Sequence, residues 1–169
     1  MPNEPDDYSR TFGGMALAAR LRRISERLDR DGTRVYGACG FRFEQRWYGV
    51  LRQLITRGPM SVGEIAATLR ISHASVSEAR RSLERDGIVI ATPSPGDARR
   101  RTLDLTPAGR AMCERLSPLW DDFNAVALEL NDEAGDLVRL LDRLDDALDG
   151  RSMYDRIMER VPSRKVDSP

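Results

Sequence analysis

Between residues 61 and 106 the spacing of apolar positions changes twice. Val62, Ile65, Ala66 and Leu69 recur at three- and four-residue steps, which predicts a helix with one apolar face. Ser61 and Glu64 have the S-x-x-E spacing of a capping box, so the helix starts at Ser61. Arg70 and Ile71 predict a turn, and Ser72 the cap of a second helix. In that helix Val76, Ala79 and Leu83 point to the core, while His73, Ala74, Ser75, Ser77, Glu78 and Arg81 lie mostly on the other sides. Gly87 suits the left-handed residue that ends it. From there the period falls to two. Ile88 and Ile90 alternate with Val89 and Ala91, and Leu103 and Leu105 with Thr102 and Asp104. The turn-rich stretch Thr92-Pro93-Ser94-Pro95-Gly96-Asp97 separates them. Thr106 caps a further helix, with Pro107 at its first position, where the missing N–H does no harm.

Helix, turn, helix, hairpin is the order of a winged helix-turn-helix, which usually sets its second helix in a DNA major groove. Other helical patterns flank it. Leu17, Leu21, Ile24 and Leu28 predict an N-terminal helix from Met15, and Gly32 and Gly37 bracket a break with Thr33–Gly40 as loop or short turn. A second helix is expected from about Phe41 or Arg42 to Thr56, with Trp47, Val50, Leu51, Leu54 and Ile55 as its stripe and Gly58-Pro59 as its stop. A long helix is expected from Pro107 to about Leu130, bent or broken at Pro118. Asn131 or Asp132 caps the next, which carries Leu137, Leu140, Leu141, Leu144 and Leu148 and ends at Gly150. Residues 152–161 suit one more short helix.

The expected fold is mainly α with a small β-hairpin wing. Its parts are a flexible arm (1–14), an N-terminal dimerisation helix (15–40), the winged helix-turn-helix (41–106), C-terminal dimerisation helices (107–161) and a flexible tail (162–169). One winged module cannot cover the stripes of 17–28, 112–130 and 137–148 together, which argues for a homodimer.

Composition narrows the function. Of 169 residues 32% are charged and the net charge is zero, so overall charge does not point to nucleic acid. Its distribution does. Between 70 and 101 seven arginines face four acids, and between 110 and 149 four arginines face eleven acids. Two distant cysteines and one histidine, His73, give no zinc site or disulfide framework, and no metal or cofactor is implied. No apolar run approaches the ~20 residues of a membrane span, and MPNEPDDYSR has no apolar signal region, so the expected location is cytoplasmic. No G-x-S-x-G, phosphate loop or metal cluster supports an enzyme.

Ser72–Gly87, the wing sequence Asp97-Ala98-Arg99 and Leu103-Asp104-Leu105-Thr106-Pro107-Ala108-Gly109 resemble the multiple antibiotic resistance regulator (MarR) family of bacterial repressors. The D-x-R followed by L-x-L-T-x-x-G is fairly specific. The resemblance is sharp over roughly 41–110. It implies a homodimer built from the first and last helices, a repressor on a pseudo-palindromic operator, and release by a small aromatic or phenolic ligand. Half-sites would lie about one turn of DNA, ~34 Å, apart.

On this reading Ser72, His73, Ala74, Ser75, Ser77, Glu78 and Arg81 face DNA from the second helix, and Arg99, Arg100 and Arg101 from the wing. Asp97 shapes the wing by pairing with Arg99 or Arg101, and Arg80 pairs with Glu84. Glu78 departs from the family, which often has a basic or neutral residue there. It accepts from cytosine, or pairs with Arg81 or Ser82. Phe43, Trp47, Tyr48 and Trp120 are either core or the wall of a ligand pocket. Cys39 is a semi-buried residue or a redox sensor activated by Arg42, Arg46 and a helix start at 41. Two other classes of function remain: a redox-sensing regulator, and a winged helix that binds protein.

Overall fold

The computed structural model describes residues 7–94 and 97–161, and for residues 94 and 97–100 the backbone alone. The chain divides into two compact units, Met1–Glu114 and Arg115–Pro169.

The first unit opens with a 3-10 segment, Tyr8–Ala16, kinked at Gly13. Most of it falls within the expected loose arm. Two interactions fold it instead: Asp7 accepts from the Ser9 N–H, and both of its carboxylate oxygens accept from Arg23 at 2.9 and 2.6 Å. Helix α1 follows, Leu17–Ala38. It runs through Gly32 and Gly37, so the expected break there is corrected. A glycine inside a helix costs only about 1 kcal/mol relative to alanine. Gly32 is buried, and a Cβ there would lie 2.0 Å from Gln45 Nε2, so the glycine admits a side chain from the next helix.

That helix, α2, is Gln45–Arg57, starting three or four residues later than expected. It buries Trp47, Val50, Leu51 and Leu54. Gly58 ends it with a positive φ of 77°. Strand β1 is only Met60–Ser61, too short for a period-two pattern to reveal. Helix α3, Val62–Leu69, begins with both halves of the capping box: Ser61 Oγ accepts from the Glu64 N–H, and Glu64 Oε2 accepts from the Ser61 N–H. Arg70, at φ 54°, makes the turn. Helix α4, His73–Arg85, is capped by Ser72, whose Oγ accepts from the Ser75 N–H at 3.0 Å.

Strands β2 (Val89–Ser94) and β3 (Asp97–Leu105) form the wing. The sheet order is β1-β3-β2, all antiparallel, with Met60 opposite Leu103 and Ala91 opposite Leu103 on its other side. Val89, Leu103 and Leu105 turn inward, whereas Ile90 is exposed. They complete a core with Ile65, Ala66, Val76, Ala79, Leu83 and the α2 stripe, except Ile55, which is exposed.

Helix α5, Pro107–Glu133, starts in this unit and continues into the second. Thr106 Oγ1 caps it, accepting from the Gly109 N–H at 3.0 Å and donating to the Gly87 carbonyl at 2.7 Å. A Cβ on Gly109 would lie 2.1 Å from the Ile88 carbonyl oxygen, so the helix rests directly on the backbone just before β2. Of the bend or break expected at Pro118, the break does not occur: the helix is continuous across it.

In the second unit α6 is Leu137–Gly150 and α7 Met153–Met158, the latter capped by Ser152. The expected cap is corrected: Asn131 and Asp132 lie inside α5, and α6 begins after Asp136, though Asn131 Oδ1 still accepts from the Val138 N–H at 2.7 Å. No residue of α6 or α7 is buried. Among the described residues, no helix is long and apolar enough to cross a membrane.

Candidate nucleic-acid interface

Helix α4 is fixed to the core by one face and free on the other. Val76 and Leu83 are fully buried, and Ala79 and Ser82 nearly so. Between them Ser82 Oγ accepts from Trp47 Nε1 at 2.7 Å and donates to the Ala79 carbonyl at 3.0 Å. This buried bond ties α4 to α2 across 35 residues of sequence, and no local pattern foretells it.

The outward face carries His73, Ala74, Ser75, Glu78 and Arg81, all exposed, with Ser77 half-buried. Stepping by three and four residues, Ala74, Ser77, Glu78 and Arg81 line the side away from the core. Ser72 is also exposed, but its hydroxyl is engaged as the cap and lies 2.7 Å from Ser75 Oγ. Ser77 Oγ stands 3.5 Å from His73 Nδ1. These residues therefore share one surface.

Charge around this face is organised by pairs, most of which the sequence did not reveal. Glu44 binds Arg46 closely, through Nε and Nη2, each at 2.6 Å, and stands 3.9 Å from Arg85. Asp86 approaches Arg42 and Arg85 at 3.8 and 3.6 Å. Arg80 and Glu84 pair one turn apart at 3.6 Å, as expected. Glu78 pairs with neither Arg81 nor Ser82. Ser82 is committed elsewhere, and the cation near Glu78 is Arg46, at 3.7 Å.

In the wing, Arg101 Nη2 donates to the Ala91 carbonyl at 2.8 Å and so braces the hairpin from the side chain. Arg99 and Arg100 are carried by β3, but their side chains, and that of Asp97, lie outside the described residues. The pairing expected for Asp97 lies outside them too.

Phe43 and Trp47 come together edge-on, ring centroids 5.6 Å apart, and Tyr36 of α1 lies 4.3 Å from Phe43. Phe43 and Trp47 are buried, whereas Tyr48 is 41% exposed. Trp120 is buried on α5, in the second unit. An open groove of about 430 Å³ runs along Gly13, Gly14, Leu17, Arg20, Leu21 and Ile24.

Cys39 is exposed, but it ends α1, its N–H bonded to the Val35 carbonyl. The helix start expected beside it lies at Gln45 instead. Arg42 and Arg46 face Asp86 and Glu44. Cys113 is buried, and that burial pushes its thiol pKa up.

Comparison with known proteins gives this surface a context. A family model described as MarR family matches residues 43–100. The transcriptional activatory protein BadR of Rhodopseudomonas palustris is 33% identical over 103 residues, covering 60% of this chain and 58% of that protein. The chain thus spans less than two thirds of the length of the curated relatives it matches. Among solved structures, Bordetella bronchiseptica BpsR, described for regulation of its DNA binding by 6-hydroxynicotinic acid, superposes with a TM-score of 0.64 at 22% identity, over 76% of this chain and 92% of that one. An E. coli MarR variant complexed with operator DNA superposes with a TM-score of 0.64 at 21% identity, over 76% and 92%. The structural likenesses show the fold, a winged helix-turn-helix with flanking helices, and the stretch that resembles the MarR family model covers α2, α3, α4 and the wing as far as residue 100.

Proposed function

We propose that the protein is a homodimeric, sequence-specific regulator that binds a pseudo-palindromic operator in double-stranded DNA. The observation that carries this reading is the outward face of α4. It presents His73, Ala74, Ser75, Glu78 and Arg81 to solvent while Val76, Ala79 and Leu83 lock the helix to the core. The wing adds the basic run 99–101 beside it in sequence. A helix anchored on one side and polar on the other fits a major groove, and arginines on a hairpin suit phosphate or a narrow minor groove.

The dimer rests on apolar faces left open in each unit. Leu17, Leu21, Ile24 and Leu28 on α1 are exposed, as are Leu137, Val138, Leu140, Leu141 and Leu148 on α6. Contiguous apolar patches of this kind mark association surfaces. A small aromatic or phenolic effector that releases the DNA completes the reading, supported by the effector named for BpsR. Repression by occupying a promoter is the first expectation. The name of the Rhodopseudomonas palustris relative favours activation as the second.

Gel-shift titration on the protein's own upstream region, at several salt concentrations, tests this. Binding should weaken steeply with salt through counterion release. Arg99→Ala should lower affinity for all sequences alike and reduce the salt slope by about 1. An unchanged affinity and slope would remove the wing from the interface. Sedimentation equilibrium should give twice the chain mass. A monomer that ignores every genomic fragment at low salt would end the proposal.

A further inference from the structure

We propose that Glu78 reads a cytosine, accepting a hydrogen bond from its N4 amino group in each half-site. This inference rests on the DNA-binding reading above. A carboxylate on a surface that meets phosphates is repelled unless a donor engages it. Three intramolecular uses would explain Glu78 without DNA, and the structure supports none of them strongly. Ser82 is buried and spends its hydroxyl on Trp47 and Ala79. Arg81, three residues on, makes no ion pair with Glu78 among the described residues. Arg46 is 3.7 Å away, but Glu44 already holds it through two nitrogens at 2.6 Å. The Glu78 side chain keeps 62% of its exposure.

Its position is that of a reader. Glu78 stands on the outward line of α4 with Ala74, Ser77 and Arg81, one turn beyond Ala74. In the major groove cytosine N4 is the exposed donor of a G·C pair and carboxylates are its usual partners. Arg46, near one carboxylate oxygen, offsets part of its charge and leaves the other oxygen open. The paired guanine then offers N7 and O6 to a neighbouring donor, and Arg81 is the exposed guanidinium on the same line.

Selection from a random duplex library with the full chain tests this, using wild type, Glu78→Gln and Glu78→Ala. Wild type should enrich a symmetric motif with cytosine at one mirrored position, preferred roughly fivefold or more over other bases. Glu78→Gln should move that column towards adenine, which a carboxamide can bind through N6 and N7. Glu78→Ala should flatten the column and leave the rest of the motif in place. Both variants should bind non-specific DNA more tightly at low salt, because a negative charge has gone. If all three proteins enrich the same motif with the same cytosine preference, or wild type shows no such column, the assignment to Glu78 is overturned while the regulator stands. If wild type enriches no sequence at all, the DNA-binding reading itself falls, and this proposal falls with it.

Discussion

Ser82→Ala isolates the bond that holds α4 to α2. Trp47 and Ser82 are 1% and 2% exposed, so no water replaces the lost partner. The indole N–H, now 2.7 Å from Ser82 Oγ, would be left buried without an acceptor. Such a group costs ~1–3 kcal/mol. Against this, alanine has the better helix propensity by up to ~0.7 kcal/mol. The hydroxyl's second bond, to the Ala79 carbonyl three residues back, adds little, since helix carbonyls have backbone partners. The net expectation is a loss of about 1–2 kcal/mol, or a fall in melting temperature of roughly 3–6 °C for a chain of this size. The assay is urea denaturation at fixed protein concentration, because association contributes to apparent stability. Trp47→Phe and the double variant complete a cycle. Once the donor is gone, Ser82→Ala should cost clearly less, with a coupling of about 1 kcal/mol. A Ser82→Ala protein as stable as wild type, or a cycle that is strictly additive, would show that the bond contributes nothing and that packing alone orients α4.

Gly109→Ala should destabilise by about 1–3 kcal/mol despite its favourable helix propensity, because the added methyl meets the Ile88 carbonyl oxygen at 2.1 Å and backbone must move. Gly37→Ala, with nothing within 4 Å, should stabilise by up to ~1 kcal/mol; thermal melts of the two variants compare them directly. With a thiol reagent at pH 8, Cys39 should react quickly and Cys113 only on unfolding, since burial both shields Cys113 and raises its pKa; a fast phase surviving Cys39→Ser would contradict this. The Asp7 carboxyl is held well below its usual range, chiefly by its hydrogen bond from Arg23 and then by Ser9. The clasp binds the charged form, so what it contributes is complete above the ordinary carboxylate pKa, about 4, and fades only as pH drops well below it. The Ser9 amide resonance should therefore stay nearly still from pH 7 to about 3, and movement with a midpoint near 4 would count against the clasp.

What could be read from the chain was what neighbouring residues decide among themselves. The Ser61–Glu64 capping box, the Ser72 cap, the Thr106 cap and the left-handed Gly87, at φ 70°, are set within four residues of sequence, and each is present. Distant partners decided the rest. Gly32 and Gly37 looked like a break because nothing nearby says that Gln45 fills the space at Gly32. Glu78 looked ambiguous because its charged neighbour, Arg46, belongs to another helix. Cys39 reads as a semi-buried residue, with an activated thiol as the alternative, only while α2 is taken to begin at 41; α2 begins at Gln45, and Cys39 is exposed. For the same reason the exposed face of α4 was legible from periodicity, while the buried bond that ties the helix to α2 was not.

Ser61 has a double membership with a practical consequence for chimeras. It is the last residue of β1, opposite Thr102 at the base of the wing, and also the cap of α3. A hairpin transplanted from another winged helix-turn-helix at its two obvious seams, after Gly87 and before Thr106, would arrive without the short edge it was matched to. The graft would disturb the start of α3 even though no residue of that helix had been exchanged. Donor segments should therefore travel with their own counterparts of residues 60–64. Chimeras made in this way should keep their melting temperature only when that small piece moves along.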